Sequence, residues 1–441
     1  MTALGSGTDE MRSRHHLYVL LLLTAAYTVS QIDRSMINIL MEPIKLDLGL
    51  SDTQLGLLTG LAFALFYSIL GVPVAYLADR TNRVLIAALG VALWAVMMLC
   101  TGFVSGFTLL LLVRVGAGAG EAGVFPAGYS LIGDHFTAQR RVRAFSVFMT
   151  GVGLSIALGF ILAGWANQAF GWRKAFIIAA VPGALLAILA ALTLREPRRR
   201  RGASTPLLPR LSLTRVLVIL GRNASFRNIV LAVMLANVGA MGVSQWAGVF
   251  YTRAHHLSSE QLGLWLGVVA GGSAALGTLV GGFAADRWFR GNSGNQLRLA
   301  AGLTATQVPF VLLILYVPNA VASLLLLIPL YVGFFAYNGP VLAITQDLVD
   351  ARMRAVAVAV TAMVLNLMGT GLGPLVVGAL SDLFTPYLGI GGLKLAMLIT
   401  ALSALASGWM FVRASRTVTG DLEHPQGAEP RTLTEAAEPT A

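Results

Sequence analysis

Long apolar runs alternate with short polar breaks along the whole chain. Each run could form a helix of about 30 Å or more, which is the thickness of the hydrocarbon core of a bilayer. Polar residues, glycine and proline separate the runs. The pattern predicts an all-α membrane protein with twelve transmembrane helices. The predicted spans are residues 17–42, 54–78, 84–103, 107–131, 142–166, 174–194, 226–251, 260–284, 297–316, 321–345, 354–381 and 391–413.

The longest polar break follows the sixth run and contains four consecutive arginines, Arg198 to Arg201. It includes a short apolar stretch, 211–220, that we expect at the membrane surface. The break divides the chain into an N-terminal six-helix bundle (1–195), a cytoplasmic linker (196–225), a C-terminal six-helix bundle (226–413) and a disordered cytoplasmic tail (414–441).

The two halves carry the same loop sequence. Ala-Asp-Arg-x-x-Arg follows the second span at Ala78 to Arg83, and it follows the eighth span at Ala285 to Arg290. Because six spans separate the two copies, the halves have the same orientation in the membrane. Parallel repeats of this kind place the binding site between the halves.

Composition excludes the soluble classes. The chain is 56% hydrophobic and 12% charged, with a mean hydropathy of +0.75. The single cysteine, Cys100, excludes an internal disulfide and a cysteine-based metal site. The sequence has no phosphate-binding loop, metal-spaced histidine cluster or nucleophile elbow. We therefore expect no enzyme, no catalytic or metal-ligating residues, and no cofactor.

Basic residues fix the orientation. If both termini are cytoplasmic, the opposite side holds only Lys45, Arg173, Lys174, Arg253 and Lys394 among the loop Lys and Arg residues. This is the positive-inside distribution, and it predicts an integral membrane protein with both termini in the cytoplasm. It also accounts for the net charge of +11 without a nucleic-acid partner.

Four ionisable residues interrupt the apolar runs: Asp33 and Arg34 in the first, Arg114 and Glu121 in the fourth. Charges at this depth are costly and usually functional. The helical rise places Asp33 and Arg114 at similar depths in antiparallel spans, so we expect them to pair. Glu121 lies two turns deeper, with no close cation expected.

Burial favours the neutral form of a lone carboxylate, so Glu121 suits proton loading and release. Protonation of Glu121 or Asp33 would free an arginine, Arg34 or Arg114, to bind an anionic group of the cargo. The alternative is that both pairs are static interhelical salt bridges.

The six-plus-six spans, the basic central loop and the two Asp-Arg-x-x-Arg turns resemble the major facilitator superfamily. Within it, Arg114-Val-Gly-Ala-Gly-Ala-Gly-Glu121-Ala122 resembles the spinster-like transporters, and Asp33-Arg34 matches their first helix. Further matches are Pro126, Asp134, Phe136, Arg141, Arg143, Ser146, Phe148, Gly153, Gly159 and Gly164.

The resemblance implies the major facilitator fold, in two parallel six-helix repeats, and transport by alternating access. Eukaryotic spinster-like members move sphingosine phosphate or lysophospholipids, while this chain looks bacterial and would lie in the inner membrane. The loop motifs are then either a cytoplasmic gate or simple solvated turns. Their residues are Asp79, Arg80, Arg83, Asp286 and Arg287.

These patterns predict a proton-coupled secondary transporter of an anionic amphiphile, lysolipid-like or sphingosine-phosphate-like. The alternatives are a carrier of small organic anions or drugs and a membrane sensor that binds without transport. The expected partners are the proton, the anionic amphiphile and the lipid bilayer, with the protein a monomer. Candidates to line the cavity are Tyr27, Gln31, Tyr129, Asn237, Gln245, Trp246, Tyr337, Asn338 and Asn366. Pro340 and the segment 371–374 are candidate helix breaks, and the alternative is that their glycines serve only close packing.

Overall fold

The computed structural model describes residues 3–196, 213–288, 292–350 and 353–423. Nineteen α-helices and two π-helical segments form the described part of the chain. The first half contains α1 (Ala3–Ser30), α2 (Ile32–Leu48), α3 (Asp52–Gly56), the π-helical segment Leu57–Leu61, α4 (Ala62–Arg80), α5 (Arg83–Thr101), α6 (Phe107–His135), α7 (Ala138–Phe170) and α8 (Trp172–Thr193).

The rest of the chain comprises the helical part of the linker and the second half. It contains α9 (Leu213–Arg222), α10 (Ala224–His255), α11 (Ser259–Trp288), α12 (Ser293–Ala305), α13 (Gln307–Tyr316), α14 (Ala320–Ala336), α15 (Asn338–Asp347), α16 (Arg354–Val364), the π-helical segment Leu365–Leu372, α17 (Gly373–Leu388), α18 (Ile390–Ala401) and α19 (Ser403–Glu423).

Eleven helical stretches of the described residues are long and apolar enough to cross a membrane. The first predicted span is not among them because it is divided at Gln31 between α1 and α2. The hydroxyl of Ser30 donates to the carbonyl of Tyr27 at 2.9 Å, which is the regular partner of the Gln31 amide. That amide donates instead to Thr28, at 3.2 Å. Helices α1 and α2 together supply the remaining span, so the fold has the predicted twelve.

The halves meet through three pairs of spans. Helix α7 packs on α11, α2 packs on α10, and α3 with its π-helical segment packs on α17. Counted as membrane spans, α7 and α11 are spans 5 and 8, while α3 and α17 belong to spans 2 and 11. Exchanging the two halves turns each of these pairs into the other. This is the two-fold relation that parallel repeats require.

We call the end of the bundle with the turns at Gly49, Gly171 and Gly389 the distal end, and the opposite end, which carries the linker, the linker end. All three glycines have positive φ, at 64°, 83° and 54°, which lets the chain reverse between helices. The halves touch near the distal end, where a Cβ at Gly164 would lie 2.9 Å from the Cα of Gly263. No comparable contact joins α15 or α16 to the first half in the described part of the chain. The bundle is therefore closed at the distal end.

The last helix is longer than expected. Helix α19 continues to Glu423, so the prediction that disorder begins at residue 414 is wrong for residues 414–423. Ala414 and Val418 are fully buried, one turn apart, and Asp421 accepts a hydrogen bond from the Ser225 amide at 3.1 Å. Residues 424–441 lie outside the described residues.

Part of the predicted linker is helical. Helix α9 occupies Leu213–Arg222, and α10 begins at Ala224. Val216 and Leu220 are buried on one face of α9, against α10 and α16, so this helix packs on the second half. The other part of the linker, 197–212, lies outside the described residues.

Candidate functional site: a charged cluster beside a central cavity

The break at Gln31 positions the first half of the charged cluster. Asp33 and Arg34 lie in the first turn of α2, directly after this break. Arg114 and Glu121 lie on α6, two turns apart. The structure brings all four residues together as two ion pairs.

The first pair joins Asp33 and Arg114. Nη1 of Arg114 donates to Oδ2 of Asp33 at 3.1 Å, and the Trp94 indole donates to Oδ1 at 3.2 Å. Asp33 and Trp94 have no exposed surface, and Arg114 is 2% exposed. The Arg114 guanidinium also lies 5.7 Å from the centre of the Phe176 ring. This pair is sealed from the cavity, and its contact agrees with the depth argument from the sequence.

The second pair joins Arg34 and Glu121. Nε and Nη2 of Arg34 donate to the two carboxylate oxygens of Glu121, at 3.2 and 2.5 Å. The expectation that Glu121 is a lone carboxylate is therefore wrong, because the long Arg34 side chain bridges the difference in depth. The Arg34 guanidinium is also 4.6 and 4.9 Å from the ring centres of Phe63 and Tyr67. The Glu121 side chain is fully buried, while that of Arg34 is 29% exposed.

The exposed part of Arg34 faces a cavity between the halves. The cavity has a volume of about 180 Å³. Its wall is mostly apolar, with a group of neutral polar side chains beside Arg34. The lining residues are Arg34, Ser35, Asn38, Ile156, Phe160, Ala240, Met241, Ser244, Gln245, Ala270, Gln307, Leu330, Tyr331, Phe334, Phe335 and Thr370.

Of the predicted cavity residues, Gln245 alone lines this cavity among the described residues. Trp246 is fully buried and donates to the carbonyl of Pro374 at 2.9 Å, so it holds α10 against α17. Tyr337 is buried against Phe334 and Phe411 in the core of the second half. Both residues are packing residues in this conformation.

The other candidates lie elsewhere. Tyr27 stacks on Phe148, with ring centres 4.8 Å apart, and Tyr129 stacks on Phe145 at 4.0 Å. Gln31 occupies the helix break described above. The amides of three further candidates donate to carbonyls one turn back in their own helices: Asn237, Asn338 and Asn366.

The cavity is also lined by residues that were not predicted from the sequence: Asn38, Gln307, Ser244 and Tyr331. One signal was available for Asn38, since it follows Arg34 by one helical turn and so shares its face. Gln307 was hidden because it follows a short helix break at Thr306, where α12 ends and α13 begins.

The predicted gate residues lie at the linker end. Arg83 binds Asp134 at 2.6 Å and Glu196 at 2.6 Å, and all three belong to the first half. The Arg80 guanidinium lies 4.0 Å from the Tyr76 ring centre, and Arg287 is exposed. The side chains of Asp79 and Asp286 lie outside the described part of the structure.

A second polar network closes the distal end. Arg253 of α10 donates to Glu42 at 2.7 Å and to Asp52 at 2.9 Å, which joins the two halves. Asp52 also accepts from Lys45 at 2.5 Å. Asp382 of α17 accepts from the backbone amides of Asp52 and Thr53, at 2.9 and 2.7 Å. In the sequence, Lys45 and Arg253 were recognised only as basic residues that indicate topology, so this network was not predicted.

Residues 23–374 match the family model of the Major Facilitator Superfamily. An MFS-type efflux pump of Mycolicibacterium smegmatis is 31% identical over 374 residues, which are 84% of this chain and 86% of the relative. A sphingosine-1-phosphate transporter of Mus musculus is 27% identical over 390 residues, which are 82% of this chain and 69% of the relative.

A crystal structure of a bacterial homolog to the human lysosomal transporter Spinster, in an inward-facing and unoccupied conformation, is also similar. It matches with a TM-score of 0.82 and 27% identity, covering 92% of this chain and 98% of that chain. The twelve spans, the family match and these relatives agree on a bundle of two parallel six-helix halves. The chain therefore belongs to the Major Facilitator Superfamily and is a spinster-like transporter.

Proposed function

We propose that this protein is a proton-coupled secondary active transporter of an anionic amphiphile. The observation that carries the proposal is the bidentate Arg34–Glu121 pair at the cavity wall. Arg34 faces the cavity and Glu121 is buried, so protonation of Glu121 changes the net charge that the cargo meets at Arg34.

Charge balance supplies the coupling. Two arginines and two carboxylates are neutral together when both acids are ionised. A proton on Glu121 leaves Arg34 with an uncompensated positive charge beside the cavity, and an anionic head group restores neutrality. The partner of Asp33, Arg114, is buried, whereas the partner of Glu121, Arg34, faces the cavity, so we assign the transported proton to Glu121 and a supporting role to Asp33.

Alternating access would use the two ends of the bundle. We infer that the protein lies in the inner membrane of a bacterium and, from the basic residues, that both termini are in the cytoplasm. The distal end is then the periplasmic side, and a structure closed there admits cargo from the cytoplasm.

The cavity wall supports an amphiphilic cargo. Phe160, Leu330, Phe334 and Phe335 offer apolar and aromatic surface to a chain, next to the cation at Arg34. The related mouse protein is named as a transporter of sphingosine 1-phosphate, a molecule that has an apolar chain and an anionic phosphate. The second candidate is a carrier of small organic anions or drugs, favoured by the small cavity volume of about 180 Å³ and by the relative named as an efflux pump.

Uptake by proteoliposomes tests the proposal. We expect an imposed pH gradient to drive uptake of lysophosphatidic acid or, for the second candidate, of benzoate, but not of the cation ethidium. Glu121→Gln should abolish the pH-driven component, because glutamine cannot exchange a proton, while cargo binding remains. Glu260→Gln, at an exposed position on α11, is the matched control and should behave as the wild type.

Unchanged pH-driven uptake by the Glu121→Gln variant would remove the proton assignment. Binding of lysophosphatidic acid or benzoate without any uptake would reject transport in favour of the sensor.

We also propose that the Asp79 loop and its repeat at Asp286 form a gate at the linker end in the opposite conformation. Asp79→Asn should then shift the population toward the conformation that is open at the linker end. The measurement is the labelling rate of a cysteine introduced at Tyr129, which is half exposed and lies toward that end. An equal rate in both proteins would leave this loop a solvated turn.

A further inference from the structure

Three side-chain amides beside Arg34 have no place in the proton cycle. Asn38, Gln245 and Gln307 line the same cavity and are 5%, 9% and 3% exposed. Oδ1 of Asn38, Oε1 of Gln245 and Nε2 of Gln307 are buried and have no hydrogen-bond partner among the described residues. Buried polar atoms are almost always paired, so three such atoms at one cavity point to a ligand.

We infer that Asn38, Gln245 and Gln307, here called the amide triad, form a neutral subsite for hydroxyl groups that the transported anion carries next to its charged group. The inference rests on the proposed function, because it assumes an anion at Arg34.

The chemistry of the triad favours hydroxyl groups over a second charge. Amides have no net charge to balance an ammonium group, and no carboxylate is among the described residues that line the cavity. Asp33 and Glu121, the nearby acids, are already bound to arginines. Amide oxygens accept and amide nitrogens donate, while a hydroxyl does both, so adjacent hydroxyls can satisfy all three unpartnered atoms. The hydroxyl of Tyr331, which is 3.3 Å from that of Ser244, extends the polar surface.

The position of the triad links recognition to the transport cycle. Asn38 comes from α2 in the first half, while Gln245 on α10 and Gln307 on α13 come from the second half. Gly248 lets α10 approach the backbone of Asn38, since a Cβ there would overlap the Asn38 carbonyl. The subsite is therefore complete only while the halves are closed together in this way. A hydroxylated anion would favour this conformation over one in which the halves separate.

Two sources could supply the hydroxyl groups: a small polyhydroxy acid or the head group of a lysolipid. Each source is tested with a pair of anions, one that carries hydroxyl groups and one that lacks them. Gluconate is compared with hexanoate, and lauroyl lysophosphatidylglycerol with dodecyl phosphate. Affinities are measured on the purified protein by microcalorimetry. We expect the hydroxylated member of one pair to bind at least about tenfold more tightly, and that pair identifies the source.

Substitution then locates the subsite. Gln245→Met and Gln307→Met keep side-chain length but remove the amide. Each should weaken binding of the hydroxylated anion by about threefold to tenfold and leave that of its bare partner unchanged. Met241→Leu, which changes shape in the same cavity without hydrogen bonding, should keep the preference.

The outcomes separate the two proposals. Equal affinity within both pairs, or equal losses for both members in the two methionine variants, overturns the subsite while anion transport stands. Absence of binding by all four anions, or binding that is indifferent to Arg34→Gln, rejects the proposed function and the subsite with it.

Discussion

At the scale of single residues, the cluster combines a sealed ion pair with an open one. Asp33 uses both carboxylate oxygens, on Arg114 and Trp94, out of contact with solvent. Arg34 holds Glu121 but remains partly exposed to the cavity. The first pair can fix α2 against α5 and α6, whereas the second can respond to a proton or an anion.

The sealed pair makes a stability prediction. Asp33→Asn or Arg114→Gln alone leaves an uncompensated buried charge and should cost about 3–5 kcal/mol of unfolding free energy. The double variant should lose less than the sum, with a coupling of about 0.5–3 kcal/mol, measured by unfolding in mixed detergent micelles. The exposed pair of Asp47 and Arg173, with side chains 43% and 39% exposed, is the control and should couple by about 0–1 kcal/mol. Additive losses in the buried pair would show that its two members act separately.

Only one of the two ion pairs could be predicted from the sequence. The Asp33–Arg114 contact follows from helical rise alone, because both residues lie at one depth in antiparallel spans. The Arg34–Glu121 contact depends on the reach of an arginine side chain and on the rotation of α2 after the break at Gln31. Neither quantity is contained in residue spacing, so Glu121 looked unpaired.

At the scale of helices, the apolar runs predicted every span but not the interruptions within them. The break at Tyr337, three residues before Pro340, divides α14 from α15 as expected near a proline. The predicted break at residues 371–374 is instead the end of the π-helical segment Leu365–Leu372, and the chain stays helical there. A π-helical turn has no distinct residue pattern, and its place is set by packing. Here a Cβ at Gly60 would overlap the carbonyl of Gly371 on the facing segment, so the two segments touch through their backbones.

Adjacent glycines on α11 test how tightly the helices pack. A Cβ at Gly281 would overlap the backbone of Ala336 at the end of α14, whereas a Cβ at Gly282 would meet open space. Gly281→Ala should therefore destabilise the protein by about 1–3 kcal/mol, because the backbone of α14 must move. Gly282→Ala should be neutral or stabilise by up to about 1 kcal/mol through helix propensity. Thermal unfolding in detergent compares them, and equal midpoints would show that α11 and α14 are not in tight contact.

At the scale of the whole molecule, the two ends of the bundle are built differently. The distal end is joined across the halves by partly buried, charge-assisted hydrogen bonds that centre on Asp52 and Arg253. At the linker end, Arg83 binds partners of its own half. A transporter that alternates access between its two ends would have to break the first network, and breaking it would cost less if equivalent bonds formed at the other end. The proposed gate at the repeated Asp-Arg-x-x-Arg motif would supply such bonds.

A reversible cross-link at the distal end tests whether the halves separate there. Nδ2 of Asn167 on α7 donates to Oγ of Ser259 on α11 at 2.7 Å, so we expect cysteines at these two positions to form a disulfide on oxidation. The background is Cys100→Ala, which removes the one native cysteine. In the variant with Asn167→Cys and Ser259→Cys, oxidation should protect both thiols from maleimide–polyethylene glycol and stop uptake by proteoliposomes. Reduction should restore uptake, because the bond holds only one of the two conformations that alternating access requires.

Asn167→Cys alone should transport before and after oxidation. If the cross-linked protein carries cargo at the full rate, the distal contact between α7 and α11 does not open during transport, and the gate must be sought between other spans.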